Sequence, residues 1–423
     1  MDSDPNNCVG GGGGMSAGLR AGYKQTEVGV IPGDWGVRQI IDVCDFIVPG
    51  RNKPKFSNDT IPWITTPDLE DGGKVSESRL GLSVSRADAN SVGSRVVPAG
   101  AVVMSCVGEL GITAYAGRDI VINQQLHAFI PSKLIDGHFL LHAIRTRKSY
   151  LEGIATKTAL PYLNKDNCNS IRLPFPPLQE QRAIATALSD TDALLAKLDE
   201  FIAKKRDLKT AAMQQLLTGQ TRLPGFSGEW EVKRLGDVAI FLKGKGLPKS
   251  SLTLSGAEPC IHYGELFTRY PETIGAIISR TNDSRDSFRS IENDVLMPTS
   301  DVTPRGLAKA SCVRVDNVIL GGDILVIRSD RKSVYGPFLS YVIRREEVQV
   351  LQLVSGSTVF HLYGSDMKKF TFSMPNIAEQ TAIATILSDM DAELTALEAR
   401  RDKTRALKQG MMQELLTGRI RLV

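Results

Sequence analysis

Two short basic clusters are the residues of this chain best suited to holding an anion: PGRNKPKF, with Arg51, Lys53 and Lys55, and LKGKGLPK, with Lys243, Lys245 and Lys249. Glycine and proline bound both, so they read as loops, and cationic side chains on loops suit phosphate contacts. ITTPD places Thr65 and Thr66 where IHYGE, later in the chain, places His262 and Tyr263. Different polar side chains at matching positions are what two readers of different base edges need. NQQ, Asn123, Gln124 and Gln125, carries amides that match adenine edges, and its counterpart is GGD. TPRG offers Thr303 and, in Arg305, a group for guanine or phosphate. Each stretch also fits an ordinary solvated loop; recurrence of the basic cluster in both halves argues against that for the lysines.

Catalytic chemistry finds no footing. His138 and His142 stand four apart, but Phe-Leu-Leu separates them where a zinc protease needs a glutamate, so packing is the expected role. PFPPL lacks the Asn/Asp-Pro-Pro-aromatic order of amino-methyltransferases. Gly244-Lys245 follows Ala239, so no phosphate loop is formed. Six cysteines lie far apart with no C-x-x-C pair, which suggests reduced thiols in a cytoplasmic protein. No apolar run is long enough for a membrane helix. Neither a cofactor nor a metal is expected. A net charge of +4 permits a nucleic-acid partner without demanding one.

Those loops need positioning, and the elements that position them occur twice. AIATALSDTDALLAKL (Ala183–Leu198) returns as AIATILSDMDAELTAL (Ala382–Leu397). The match runs ungapped from Pro176/Pro375 to Leu223/Leu422, with the LLTG of Leu216–Gly219 repeated at Leu415–Gly418. Weaker echoes cover the rest: GDWGVRQIIDV and GEWEVKRLGDV, PWITTPDL and PCIHYGEL, IVINQQLHAF and VILGGDILVI, TKTALPYL and SGSTVFHL. Two whole halves are repeated, each a divergent module followed by a similar helix.

Leu188, Thr191, Leu195, Leu198 and Ile202 alternate at spacings of three and four, as do Leu387, Met390, Leu394 and Leu397. That is a coiled-coil seam of two heptads or slightly more, broken at Lys205 and Arg401. Pro176-Pro177 opens the first helix and Asn376 with Glu379 the second, as a capping box; Gly219 and Gly418 close them. Each should run ~40 residues, about 60 Å. The simplest arrangement pairs the two antiparallel, with the modules at opposite ends under a pseudo-two-fold axis. Each module is a mixed α/β domain with short strands and one helix, Gly137–Leu151 in the first and Gly336–Leu351 in the second. The expected organisation is a leader at 1–22, modules at 23–175 and 224–374, and helices at 176–223 and 375–423, in an α+β chain. The TRLPGFSGEW linker after the first helix, TGRIRLV at the end and YKQTEVGVIPGDW at the start make the halves look like a ring cut at one linker.

The YKQTEVGVIPGDW opening, LPFPPLQEQRAIATALSDTD…LLTG and MPNIAEQTAIATILSDMD…LLTG together resemble the specificity (S) subunits of type I restriction–modification enzymes. The likeness extends from about Tyr23 to the end and leaves the Gly-rich leader before Met15 unexplained. It implies two target-recognition domains that each read half of a split double-stranded DNA site, and helices that dock two methyltransferase (M) subunits and, through them, restriction (R) subunits. It also implies that the chain itself is not catalytic. Two other classes stay open on residues alone: a scaffold whose modules bind peptides, and a fused nuclease with an unfamiliar active site.

Overall fold

Residues 20–50, 52–57, 60–156 and 159–423 are described in the computed structural model; Arg51 and most of the expected leader lie outside them. The chain divides into two units, Met1–Lys197 with Asp402–Val423, and Leu198–Arg401.

Each unit is built on a five-stranded sheet. In the first the order is Cys44–Ile47, Leu126–Pro131, Val102–Ser105, Thr113–Ala116 and Gly73–Val75. In the second it is Ala239–Lys243, Ile324–Ser329, Val295–Pro298, Ser311–Val313 and Thr273–Ile274. Neighbours are antiparallel except the last pair, which is parallel in both. The central strands, VVMS and VLMP, are buried throughout, which is why they read as continuous rather than alternating apolar runs. A smaller sheet accompanies each: Ile61–Ile64 runs parallel to Val121–Ile122, and Glu258–Ile261 parallel to Ile319–Leu320.

The single helix expected in each module is broken in two. Gly137–Arg145 is followed by Lys148–Ile154, and Gly336–Arg345 by Glu347–Leu353. In the first, the Thr146 hydroxyl takes the Ala143 carbonyl at 2.8 Å and Arg147 leaves helical geometry, so the ladder ends there.

The long helices span Leu178–Leu216 and Ile377–Leu415, 39 residues each, and Gly219 and Gly418 adopt the left-handed conformation beyond their ends. Asn376 caps the second, accepting from the Glu379 amide at 3.0 Å, but Glu379 does not close a capping box. Its carboxylate is taken by stronger donors, Arg222 and Trp230.

The helices pair antiparallel. In the first unit Asp192 meets Lys408; in the second Asp199 meets Arg401, Lys205 meets Glu393 at 2.7 Å, Arg206 meets Glu398 and Lys209 meets Asp391. Lys205 and Arg401, which interrupt the apolar seam, thus make cross-helix ion pairs. The seam itself divides by task. Leu198, Ile202 and Leu394 are buried, whereas Leu195, Met390 and Leu397 are half-buried. Leu188 joins Ile184, Ala185, Leu415 and Leu416 inside the core of the first unit; Leu387 joins Ile383, Ala384, Leu216 and Leu217 inside that of the second. The leucines of each LLTG therefore complete the core around the start of the other long helix. No helix among the described residues is long and apolar enough to cross a membrane.

Candidate functional site

In the first unit four stretches are tied edge to edge by hydrogen bonds. The Gln124 amide reaches the carbonyl of Gly50, at the root of the basic loop, at 3.2 Å. The Asn123 N–H donates to Ile64 at 3.0 Å, which places NQQ beside Thr65 and Thr66, and the Thr66 hydroxyl reaches Gln125 Oε1 at 3.4 Å. The Cys106 N–H donates to the Gln125 carbonyl at 2.8 Å, and the Cys106 carbonyl accepts from Leu163 at 2.8 Å. The second unit builds the same row. Gly322 donates to Gly246 at 2.9 Å, Gly321 to Ile261 at 2.9 Å, Thr299 to Asp323 at 3.0 Å and Leu362 to Thr299 at 3.0 Å.

Of the residues nominated from sequence, Thr65, Thr66 and Asn123–Gln125 share one row in the first unit, and His262 and Tyr263 lie on the matching row of the second; Arg51 lies outside the described residues. Gln124 and Gln125 are exposed, and Asn123, Thr65, Thr66, His262 and Tyr263 half-exposed. Thr303 and Arg305 follow Thr299 on a 3₁₀ turn, Pro304–Ala308, where Thr303 bonds Asp301 at 2.8 Å and Arg305 pairs with Glu347 at 3.0 Å. Lys243 ends a strand rather than standing in the loop, because pairing with Leu325 carries the edge strand that far. Lys243 and Lys245 face Asp323 at 3.8 Å and Asp286 at 2.9 Å. Lys53 lies over the Phe56 ring at 4.4 Å, and among the described residues neither Lys53 nor Lys55 is in an ion pair. Lys249 lines a cavity of about 560 Å³ with His262, Tyr263 and Arg269. Gly244 is required by close approach: a Cβ there would stand 2.1 Å from the Gly321 carbonyl.

Behind Thr65 and behind His262 sits a carboxylate, Asp68 and Glu265, at matching positions of the repeat. Asp68 accepts from the Thr65 N–H and hydroxyl at 2.7 Å each and from Arg79 N–H at 2.7 Å. Glu265 accepts from the His262 N–H at 2.9 Å and the Ser279 hydroxyl at 2.6 Å. Burial holds the His262 imidazole below its ordinary range, so at neutral pH it offers neutral nitrogens to a partner, and Nδ1 already accepts from Gly264 at 3.1 Å.

A second pair of matched clusters secures the helix starts. Trp35 Nε1 donates to Glu180 at 2.9 Å, and Arg421 bonds both Glu180 and Asp34, the latter at 3.0 and 2.9 Å. Trp230 Nε1 donates to Glu379 at 3.2 Å, and Arg222 grips the same carboxylate at 2.6 and 2.7 Å. Both glutamates are fully buried. The neighbouring Gln181 and Gln380, equally buried, accept from Asp136 and Tyr335 N–H at 2.9 Å each, which orients each module on its helix. The repeated Glu-Gln pair, Glu180-Gln181 and Glu379-Gln380, is the signal that marks these clusters; their tryptophan and arginine partners, distant in sequence, did not stand out. Among the described residues no three His, Cys, Asp or Glu side chains are grouped to hold a metal ion.

The profile of a family described as the type I restriction modification DNA specificity domain matches residues 32–204 and again 227–405. A putative type I restriction enzyme MjaX specificity subunit of Methanocaldococcus jannaschii is 24% identical over 95% of this chain and 97% of its own length. The MjaIX specificity subunit of the same organism is 25% identical over 56% of this chain and 59% of its own. A crystal structure of the S subunit of a type I restriction-modification system from M. genitalium superposes with a TM-score of 0.61, at 14% identity, covering 90% of this chain and 96% of that one.

Proposed function

Because the chain belongs to the type I restriction–modification DNA specificity family, whose members recognise DNA and are not the catalytic subunits, we propose that it reads a bipartite, asymmetric site on double-stranded DNA and docks methyltransferase subunits, and through them restriction subunits. The observation that carries this reading is the row built twice. Equivalent bonds, backbone-to-backbone in all but the link from Gln124 to Gly50, join equivalent loops in the two units, while the exposed side chains differ: Thr65, Thr66 and the amides of Asn123–Gln125 against His262, Tyr263 and the bare backbone of Gly321–Gly322. One scaffold with two sets of hydrogen-bonding groups suits two half-sites of different sequence. Lys53, Lys55, Lys243 and Lys245 border the rows and supply cationic groups for the backbone. Arg305 and Lys249 extend the second row.

Docking finds support on the long helices. Leu208 and Leu407 occupy matching positions of the repeat and are 48% and 61% exposed, one in each unit. An exposed apolar side chain that recurs at the matching position of both helices suits two copies of one partner, hence two M subunits, assembled in the cytoplasm.

The test is exchange of residues 24–175 for the corresponding module of a relative, followed by methylation mapping in a host that supplies the M subunit. One half-site should change and the other stay. Alteration of both half-sites would show that the modules do not read separately.

A further inference from the structure

The row has a further member in each unit, and it presents aromatic side chains. In the first, residues 160–163 close against the strand end that carries Cys106: Val107 and Tyr162 form an antiparallel bridge, and Gly108 donates to Pro161 at 2.9 Å. The segment is pinned at its root, where Thr156 N–H meets the Tyr162 carbonyl at 3.1 Å and the Tyr162 N–H meets the Thr156 hydroxyl at 3.1 Å. In the second, Ser300 and Asp301 pair with His361 and Phe360, and Ser355 and His361 exchange backbone bonds at 3.0 and 2.7 Å.

Extended backbone turns alternate side chains to opposite faces. Here the inward members are Leu163 and Leu362, 4% and 0% exposed. The outward neighbours are Tyr162, 44% exposed, and Tyr363, 53% exposed, with His361 stacked beside Tyr363 at 6.0 Å. Leu163 and Leu362 are also the residues whose N–H groups bind Cys106 and Thr299, the links to Gln125 and Asp323. The buried leucine therefore fixes the exposed tyrosine relative to the amides of the first row and the glycines of the second.

Resting on the DNA reading proposed above, we propose that Tyr162 and Tyr363 are specificity-determining residues that lay their rings against base edges, one in each half-site. The base feature that answers an apolar ring in the major groove is the C5 methyl group of thymine. Polar atoms in the rows meet donors and acceptors; Tyr162 and Tyr363 add an apolar ring at the same end of each row.

The experiment uses the full chain with its M subunit on the mapped target, replacing one thymine at a time by deoxyuridine. One position in each half-site should lose about fourfold in affinity, the worth of one buried methyl group. Tyr162→Ala should abolish that sensitivity in the first half-site alone and Tyr363→Ala in the second alone, with Tyr162→Phe retaining it. The proposal is overturned if deoxyuridine sensitivity survives both alanine variants, if affinity falls equally on every sequence, or if M-subunit binding is lost instead. Should the unaltered protein show no sequence preference, the DNA reading itself fails; sequence preference without tyrosine dependence defeats only this inference.

Discussion

The first unit spends side-chain amides where the second uses bare backbone. Gln124 reaches the basic loop through its amide group, whereas in the second unit the N–H of Gly322 makes the matching bond and Gly244 packs against Gly321 at a distance no side chain permits. Both solutions hold the same loops in the same order. Scaffold bonds formed mainly by the main chain leave the outward side chains free to differ, so one frame can carry two specificities. The price is unequal tolerance: replacing Gly244 should disturb the frame of the second row, while replacing Gln124 should disturb only one link of the first.

The largest test of this equivalence is at the helix starts. Removing one partner of a buried carboxylate cluster strands the others, at roughly 3 kcal/mol or more. Glu379→Ala should cost the second unit about that amount, because Arg222 and Trp230 lose their shared acceptor. Glu180→Ala should cost the first unit less, roughly 2 kcal/mol, since Arg421 keeps Asp34. Urea unfolding followed by hydrogen exchange in Val102–Ser105 and Val295–Pro298 would assign each loss, and equal losses would make Asp34 irrelevant.

Acid should separate the units next. Burial depresses His127 to about 4 and His142 to about 3; Asn169 opposes the first shift, while Lys408, Arg145 and His138 reinforce the second. Asp192 also faces His142, at 4.0 Å. Both imidazoles are neutral in the folded chain and ordinary, near 6.5, in the unfolded one. The stability they contribute is whole above pH 6.5 and lost as pH falls toward 4 and 3, about 2 kcal/mol per histidine at pH 5. The matching positions in the second unit hold Leu325 and Tyr341, which do not titrate there. Exchange rates, corrected for intrinsic chemistry, should rise between pH 7 and 5 in the first unit more than in the second.

The smallest contrast concerns the lysines. Lys53→Ala with Lys55→Ala should flatten the salt dependence of DNA binding by up to about two units of slope, on all sequences. Lys243→Ala with Lys245→Ala should do less, because Asp323 and Asp286 already neutralise part of that charge. A change in discrimination at one base pair, with slope unchanged, would make these residues base readers.

How legible this was in the sequence depended on distance along the chain. The long helices, their glycine ends and the doubled architecture follow from local periodicity and self-similarity. The loops with Thr65 and His262 were visible because the repeat aligned unlike residues inside like flanks. Glu379 misled, since three residues after Asn376 it looks like a cap, and only the fold brings Arg222 and Trp230 to it. Tyr162 was hidden in a matched but unremarkable stretch whose counterpart places His361 there, and Tyr363 stands one residue beyond that stretch; what marks both is a buried leucine beside an exposed ring. Seam positions Leu188 and Leu387 looked like pairing residues, and their place in the module cores depends on leucines about two hundred residues away.

That last feature bears on synthesis. Leu216, Leu217 and the whole of Leu198–Arg401 leave the ribosome in one continuous stretch, so the second unit can close its core as it emerges. The first unit cannot. Leu415 and Leu416 belong to its core, and they follow the whole of Leu198–Arg401 in the chain. At roughly 5–20 residues per second, the N-terminal module waits some tens of seconds before Leu415 and Leu416 can join Ile184 and Leu188 in its core. The order in which the two cores are completed therefore inverts the order of translation.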